Sequence, residues 1–273
     1  VFATGGNVTN AVVTFSRQGL HSRYMWCLGT DVASEAILQE LDREGVDTSA
    51  VVQNSSYRAS YSVVLMLDGG ERTILNYRGT PIGADSHDLQ FELIKEADWV
   101  YLSSLGNIEL LERIVSEAAA HGVKVMLNPA GAELKEADKL KGILQDVEVL
   151  TVNKEEAQQI VSGESLEELV RHAWHYCPVV IVSDGPNGAM ATDGRTIVKA
   201  GMYEDVPVVD RTGGGDAFGS GFLSYFSQGK SLKESIVFAS ANSTSVVTKI
   251  GAKEGILHQG TVLHDMPIEE KEF

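Results

Sequence analysis

The chain is short of cysteine, of basic charge and of long apolar runs, and each shortage removes a class of function. Two cysteines in 273 residues, Cys27 and Cys177, offer neither a disulfide framework nor a metal-ligand spacing. They read as partly buried thiols in a reducing compartment, so the expected location is cytoplasmic. No stretch approaches the roughly 20 apolar residues that a spanning helix needs. Only 22 Lys and Arg stand against 38 Asp and Glu, giving a formal net charge of −16. A surface of that sign argues against nucleic acid as a partner. It also repels phosphate-bearing ligands, which must then be held by local donors or metal.

What is present is the composition of a folded protein, 43% hydrophobic and 22% charged, without low-complexity segments. "NAVVTFSRQGL" has helical spacing and stops at Gly19; "RYMWCLGTD" reads as a buried strand and turn leading into the helix "SEAILQELDREG". Between Val51 and Arg78 two β-rich runs flank Asp68-Gly69-Gly70, the pattern of a hairpin. From Trp99 onward strands and helices alternate through "WVYLSS", "VKVMLN", "VEVLTVN" and "VVIVSDG". A hairpin-like "AMATDGRTIVKAG", a strand "VPVVD" and two final helices follow. Apolar strands alternating with helices imply a parallel sheet covered on both faces.

Three stretches carry candidate chemistry. In "DRTGGGDAFGSG" a glycine turn runs into a helix, so backbone N–H groups gather where the helix dipole favours an anion. Asp216 there is either an acid placed favourably in the first turn or a general base beside an anion hole. The stretch lacks G-x-x-x-x-G-K-[ST], and the G-x-G-x-x-G register from Gly213 meets Phe218 where its last glycine belongs. In "TVNKEEAQQI", Asn153 and Glu156 are three apart at a strand-to-helix junction. That spacing serves a helix cap or a water-mediated cation site. In "VSDGPNGAMA", Ser183, Gly185 and Gly188 form a tight turn, structural or shaped for close approach of a ligand.

In order along the chain, "GGNVTN", "NKEE", "SDGPNG" and "DRTGGGD" resemble the motifs of the ribokinase-like (PfkB) family of carbohydrate kinases. The resemblance implies one α/β domain over residues 1–273, a ribokinase-like three-layer sandwich with a central, mostly parallel sheet and a small β-lid. The lid segments fall at about 22–30 and 51–78, and a first strand upstream of "VFATGGN" is expected to be missing. It implies transfer of the ATP γ-phosphoryl group to a hydroxyl of a sugar or a sugar-like alcohol. Asp216 becomes the base, and Gly213, Gly214 and Gly215 the anion hole. Asn153 and Glu156 would organise Mg2+ through water, and Asp210 would hold a monovalent cation, potassium. Ser183, Gly185, Gly188 and Asn242 would line ATP. Gly5, Gly6, Asn10, Asp31 and Arg78 would face the sugar, with Asn7 as a neighbour.

Gly214 and Arg211 depart from the family's usual Ala and Thr. The specific acceptor stays open among ribose, ketodeoxygluconate, fructose and a nucleoside. So does a catalytically silent sensor of sugar or nucleotide. A homodimer through the lid's open strand edge is the expected assembly. A dinucleotide oxidoreductase is disfavoured, because "VFATGGNVTN" supplies no glycine fingerprint after a strand.

Overall fold

A computed structural model describes residues 3–66, 72–84, 87–201, 203 and 206–273. The chain runs α1 (Asn7–Arg17), β1 (Trp26–Leu28), α2 (Val32–Arg43), β2 (Val51–Gln53), β3 (Tyr61–Met66) and β4 (Arg72–Tyr77). It continues with β5 (Trp99–Ser103), α3 (Ile108–Ala120), β6 (Lys124–Asn128), α4 (Ala137–Ile143), β7 (Val149–Asn153), α5 (Lys154–Ile160) and α6 (Leu166–Trp174). The last part holds β8 (Val179–Ser183), β9 (Ala189–Thr192), β10 (Thr196–Ala200), α7 (Gly214–Phe226), α8 (Leu232–Val247) and β11 (Ile268–Glu272).

Seven strands make the main sheet, in the order β11-β10-β9-β8-β7-β6-β5. β5 to β8 are parallel, joined by the helical crossovers that the alternating pattern implies, while β9, β10 and β11 add on antiparallel. The sheet is therefore mixed, with a contiguous parallel half, β5 to β8, and an antiparallel edge. Strand alternation explains the layers. Leu150, Val152, Val180 and Val182 join Leu110, Leu111, Leu140 and Leu169 from α3, α4 and α6 in one core. Met126, Val149 and Ile181 point the other way, onto Phe15, Phe222 and Ile236 from α1, α7 and α8.

Two details differ from expectation. "VPVVD" forms no strand: Val208 and Val209 are exposed, and the N–H groups of Val209 and Asp210 both donate to the Val247 carbonyl. The edge beside β10 belongs to β11, which pairs with it from Thr196↔Glu272 to Ala200↔Ile268. The sequence of β11, "IEEKE", has no alternating apolar face to announce a strand.

Two small sheets lie apart from the main one. β1 and β2 pair in parallel, and β3 and β4 pair antiparallel from Tyr61↔Tyr77 to Met66↔Arg72. The expected turn at Asp68-Gly69-Gly70 lies outside the described residues.

Candidate active site

The head of α7 is shaped by three glycines in three different ways. Gly213 has φ +79°, and a Cβ there would come within 2.6 Å of the Ala252 Cβ, so conformation and space both require glycine. A Cβ at Gly214 would lie 3.0 Å from Val247 Cγ1, against the end of α8. At Gly215 nothing stands within 4 Å. That position opens on free space, and by place in the helix the N–H groups of Gly215 and Asp216 have no intrahelical acceptor. They are available to an anion.

Asp216 follows in the first turn of α7 and is braced from α1: Asn10 Nδ2 donates to its Oδ2 at 2.8 Å. The same two helices are tied lower down by Ser220 Oγ, which donates to the Asp216 carbonyl at 2.6 Å and lies 2.9 Å from Thr14 Oγ1. Burial pushes the Asp216 carboxyl above the usual carboxylate range, against the opposing pull of the Asn10 hydrogen bond and the Lys253 charge. Asn10 is almost fully buried, and its Oδ1 has no partner. The glycine turn Gly5-Gly6, with Gly6 at φ +106°, precedes α1, and the Gly6 carbonyl accepts from Asn10 N at 2.9 Å.

Asp210 shapes the loop ahead of the glycines. Its Oδ1 accepts from Thr212 N at 2.9 Å and from Thr212 Oγ1 at 2.7 Å, and its Oδ2 accepts from Gly251 N at 3.1 Å. A concavity of about 2440 Å³ has Gly5, Gly6, Asn7, Arg78, Asp210 and Thr212 in its wall. Asn7 Nδ2 there donates to Ser104 Oγ at 3.0 Å and Ser103 Oγ at 3.3 Å. Ser104 holds a left-handed backbone, φ +49°.

Asn153 and Glu156 form a capping box at the start of α5: Glu156 N donates to Asn153 Oδ1 at 2.8 Å, and Asn153 N to Glu156 Oε2 at 2.9 Å. Burial raises the Glu156 carboxyl. The box occupies one oxygen of each side chain, leaving Glu156 Oε1 for water. Among the described residues no cluster of three or more His, Cys, Asp or Glu could chelate a metal directly. A donor set with one carboxylate suits a hard cation that keeps its own waters.

Asn153 is the register neighbour of Ser183, so β7 and β8 deliver both residues to the same edge of the sheet. After Ser183 the chain makes a tight turn, closed by Asp184 N on the Gly188 carbonyl at 2.8 Å. Gly185 and Gly188 both have positive φ, and a Cβ at Gly188 would collide with the Ala200 carbonyl oxygen.

One expected contact is corrected. Asn242 is fully buried in α8, its Nδ2 donating to the Ala217 carbonyl at 2.8 Å and its Oδ1 accepting from Leu257 N at 2.9 Å. Its amide is spent on joining α8 to α7 and cannot read a base. Asp31 is the N-cap of α2, accepting from Ala33 N and Ser34 N at 3.1 Å and from Ser34 Oγ at 3.2 Å. Ser103, Ser104 and Lys253 were not singled out from sequence, because none belongs to a local pattern.

Residues 1–259 match the profile described as "pfkB family carbohydrate kinase". The chain belongs to that family. Members are ATP-dependent phosphotransferases, and so is this one. Among curated pfkB relatives, ribokinase of Haemophilus influenzae is 27% identical, over 93% of this chain and 84% of its own. The 2-dehydro-3-deoxygluconokinase of the same organism is also 27% identical, over 84% and 81%. Of solved structures, Arabidopsis thaliana ribokinase complexed with ribose and ATP superposes with a TM-score of 0.79 at 22% identity, over 92% and 84%. A putative ribokinase II of E. coli, in complex with ATP and Mg2+, gives 0.82 at 18%, over 93% and 85%. These likenesses establish the ribokinase-like fold. Among the described residues no helix is long and apolar enough to cross a membrane.

Proposed function

We propose that this pfkB kinase phosphorylates a hydroxyl of a sugar held between the Gly5-Gly6 turn and the head of α7, with Asp216 as the base. The observation that carries the reading is the hydrogen bond from Asn10 to Asp216, which joins the first turn of α1, just after Gly5-Gly6, to the first turn of α7. A hydroxyl lodged at that junction meets a carboxylate, while the exposed N–H groups at Gly215 face the phosphoryl oxygens. ATP supplies the phosphoryl group when bound, beside the Ser183–Gly188 turn. Asn153 and Glu156 would hold Mg2+ through water, and the ion would supply charge neutralisation there.

Asp216 takes the hydroxyl proton only as a carboxylate. Its raised pKa makes it a stronger base than a surface aspartate and places an acid limb in the pH profile. The glycine N–H groups stabilise the charge carried by the phosphoryl group, and the helix dipole adds to them. Asn10 fixes the carboxylate's orientation and leaves its second oxygen for the acceptor.

On the acceptor side Asn7, Ser103 and Ser104 are neutral, matching a polyhydroxylated sugar, while Arg58 and Arg78 line the same concavity and would meet a sugar acid. ATP turnover across ribose, fructose, 2-dehydro-3-deoxygluconate and nucleosides separates these acceptors. Turnover with none of them overturns this choice of acceptors. Repeating the panel with and without potassium tests the monovalent cation proposed beside Asp210. Self-association through β3 and β4 and a cytoplasmic location complete the proposal.

A further inference from the structure

We propose that Lys253 is a positioning residue that fixes the Gly5-Gly6 turn from beneath and sets the electrostatic environment of Asp216, resting on the reading of Asp216 as base. The side chain is 5% exposed, so its ammonium is buried. It donates to Thr4 Oγ1 at 2.8 Å and to Thr9 Oγ1 at 3.3 Å. Thr9 Oγ1 in turn bonds the Gly5 carbonyl at 2.7 Å and the Gly6 carbonyl at 3.0 Å. One cation thereby holds both ends of the turn that fronts the acceptor site.

The neighbours of Lys253 hold the other half of the site. Gly251 N donates to Asp210, and Ala252 is the wall against which Gly213 packs. Residues 251–253 thus touch the loop of the anion hole on one side and the acceptor turn on the other. A shift of this segment moves both together.

A buried ammonium whose direct partners among the described residues are neutral hydroxyls is costly to keep, and a merely structural site would more cheaply hold an apolar side chain. The charges around it are Glu40 of α2, Glu44 just after α2, Asp216 of α7 and Arg17 of α1, with His258 acting on Glu44. Burial lowers the Lys253 ammonium to about 8, the three carboxylates resist that fall, and Arg17 adds to it. Below that pH the cation favours the ionised form of Asp216. Above it the charge is lost.

The test compares wild type with Lys253→Met and Thr4→Val, using ribose as acceptor first and then any other acceptor that the panel assigns. In Lys253→Met the acceptor KM should rise about tenfold or more while the ATP KM stays near wild type, as expected for losing charged hydrogen bonds on one side of the site. The wild-type fall in kcat/KM above about pH 8 should disappear, and the acid limb should move to higher pH. Thr4→Val should raise the acceptor KM in the same direction without removing the alkaline limb. Independently of turnover, 13C NMR titration of the aspartate carboxyls should show Asp216 titrating at higher pH in Lys253→Met. A folded Lys253→Met with unchanged acceptor KM and an unmoved Asp216 titration overturns the inference. If Lys253→Met fails to fold, an unchanged acceptor KM in Thr4→Val overturns it. Asp216→Asn with full activity would instead sink the base reading, while leaving the carboxyl titration to judge Lys253.

Discussion

Asp216 illustrates a residue that is placed for chemistry at the expense of stability. Its folded pKa lies above the unfolded value, so the folded state holds more protons, and stability falls as pH rises from the unfolded pKa through the folded one. At neutral pH Asp216→Asn should therefore melt at a higher temperature than wild type, with the gain vanishing in acid. Its kcat should drop by about 10²–10⁴-fold, the usual worth of a general base. A variant that melts lower and keeps its turnover would contradict both halves.

The glycines give a second contrast. Gly213→Ala must force a methyl into Ala252 from a left-handed backbone, and it should destabilise the protein. Gly215→Ala meets nothing within 4 Å and should gain helix stability of about 1 kcal/mol. If an anion approaches through that open space, Gly215→Ala will nevertheless raise the ATP KM. Melting curves and steady-state kinetics on the two variants decide it.

At the scale of elements, β3 and β4 present one continuous apolar face. Tyr61, Val63 and Leu65 lie opposite Tyr77, Leu75 and Thr73, and Tyr61, Leu65 and Leu75 are more than half exposed. If the proposed self-association runs through this face, the double variant Val63→Lys with Leu75→Lys should sediment as a smaller species than wild type while its melting temperature stays nearly unchanged. An unaltered oligomeric state would show that the face has another use.

The same scale shows what sequence can and cannot convey. β5 to β8 were legible because each is an apolar run between helices of clear periodicity, and the glycine turn at 213 was legible because three glycines have few other uses. β11 was invisible because its contacts are made by backbone and by ion pairs such as Lys199–Glu269, which leave no apolar pattern. Asn242 was misread because its place within "ASANSTSVV" does not tell which side of α8 faces α7. Lys253 gave no signal at all, since its partners Thr4 and Thr9 are nearly the whole chain away.

For the molecule as a whole, the charge of −16 opposes every approach of an anionic nucleotide. Raising ionic strength from about 0.01 to 0.15 M shortens the Debye length from roughly 30 to 8 Å. The ATP KM should fall over that range, while the KM of a neutral sugar should hardly change. An ATP KM that rises with salt would mean that local cations dominate the nucleotide's approach.

β11 also has a consequence for handling. Four of its five residues are charged, Glu269, Glu270, Lys271 and Glu272, and it forms the outer rim of the main sheet at that end. Charged rims deter a second molecule from adding its own strand. Three of those four charges are glutamates, and the fourth, Lys271, is held by Glu167 at 2.6 Å. A variant with Glu269, Glu270 and Glu272 all changed to Gln should therefore gain fibrillar, dye-binding aggregates in concentrated stocks sooner than wild type.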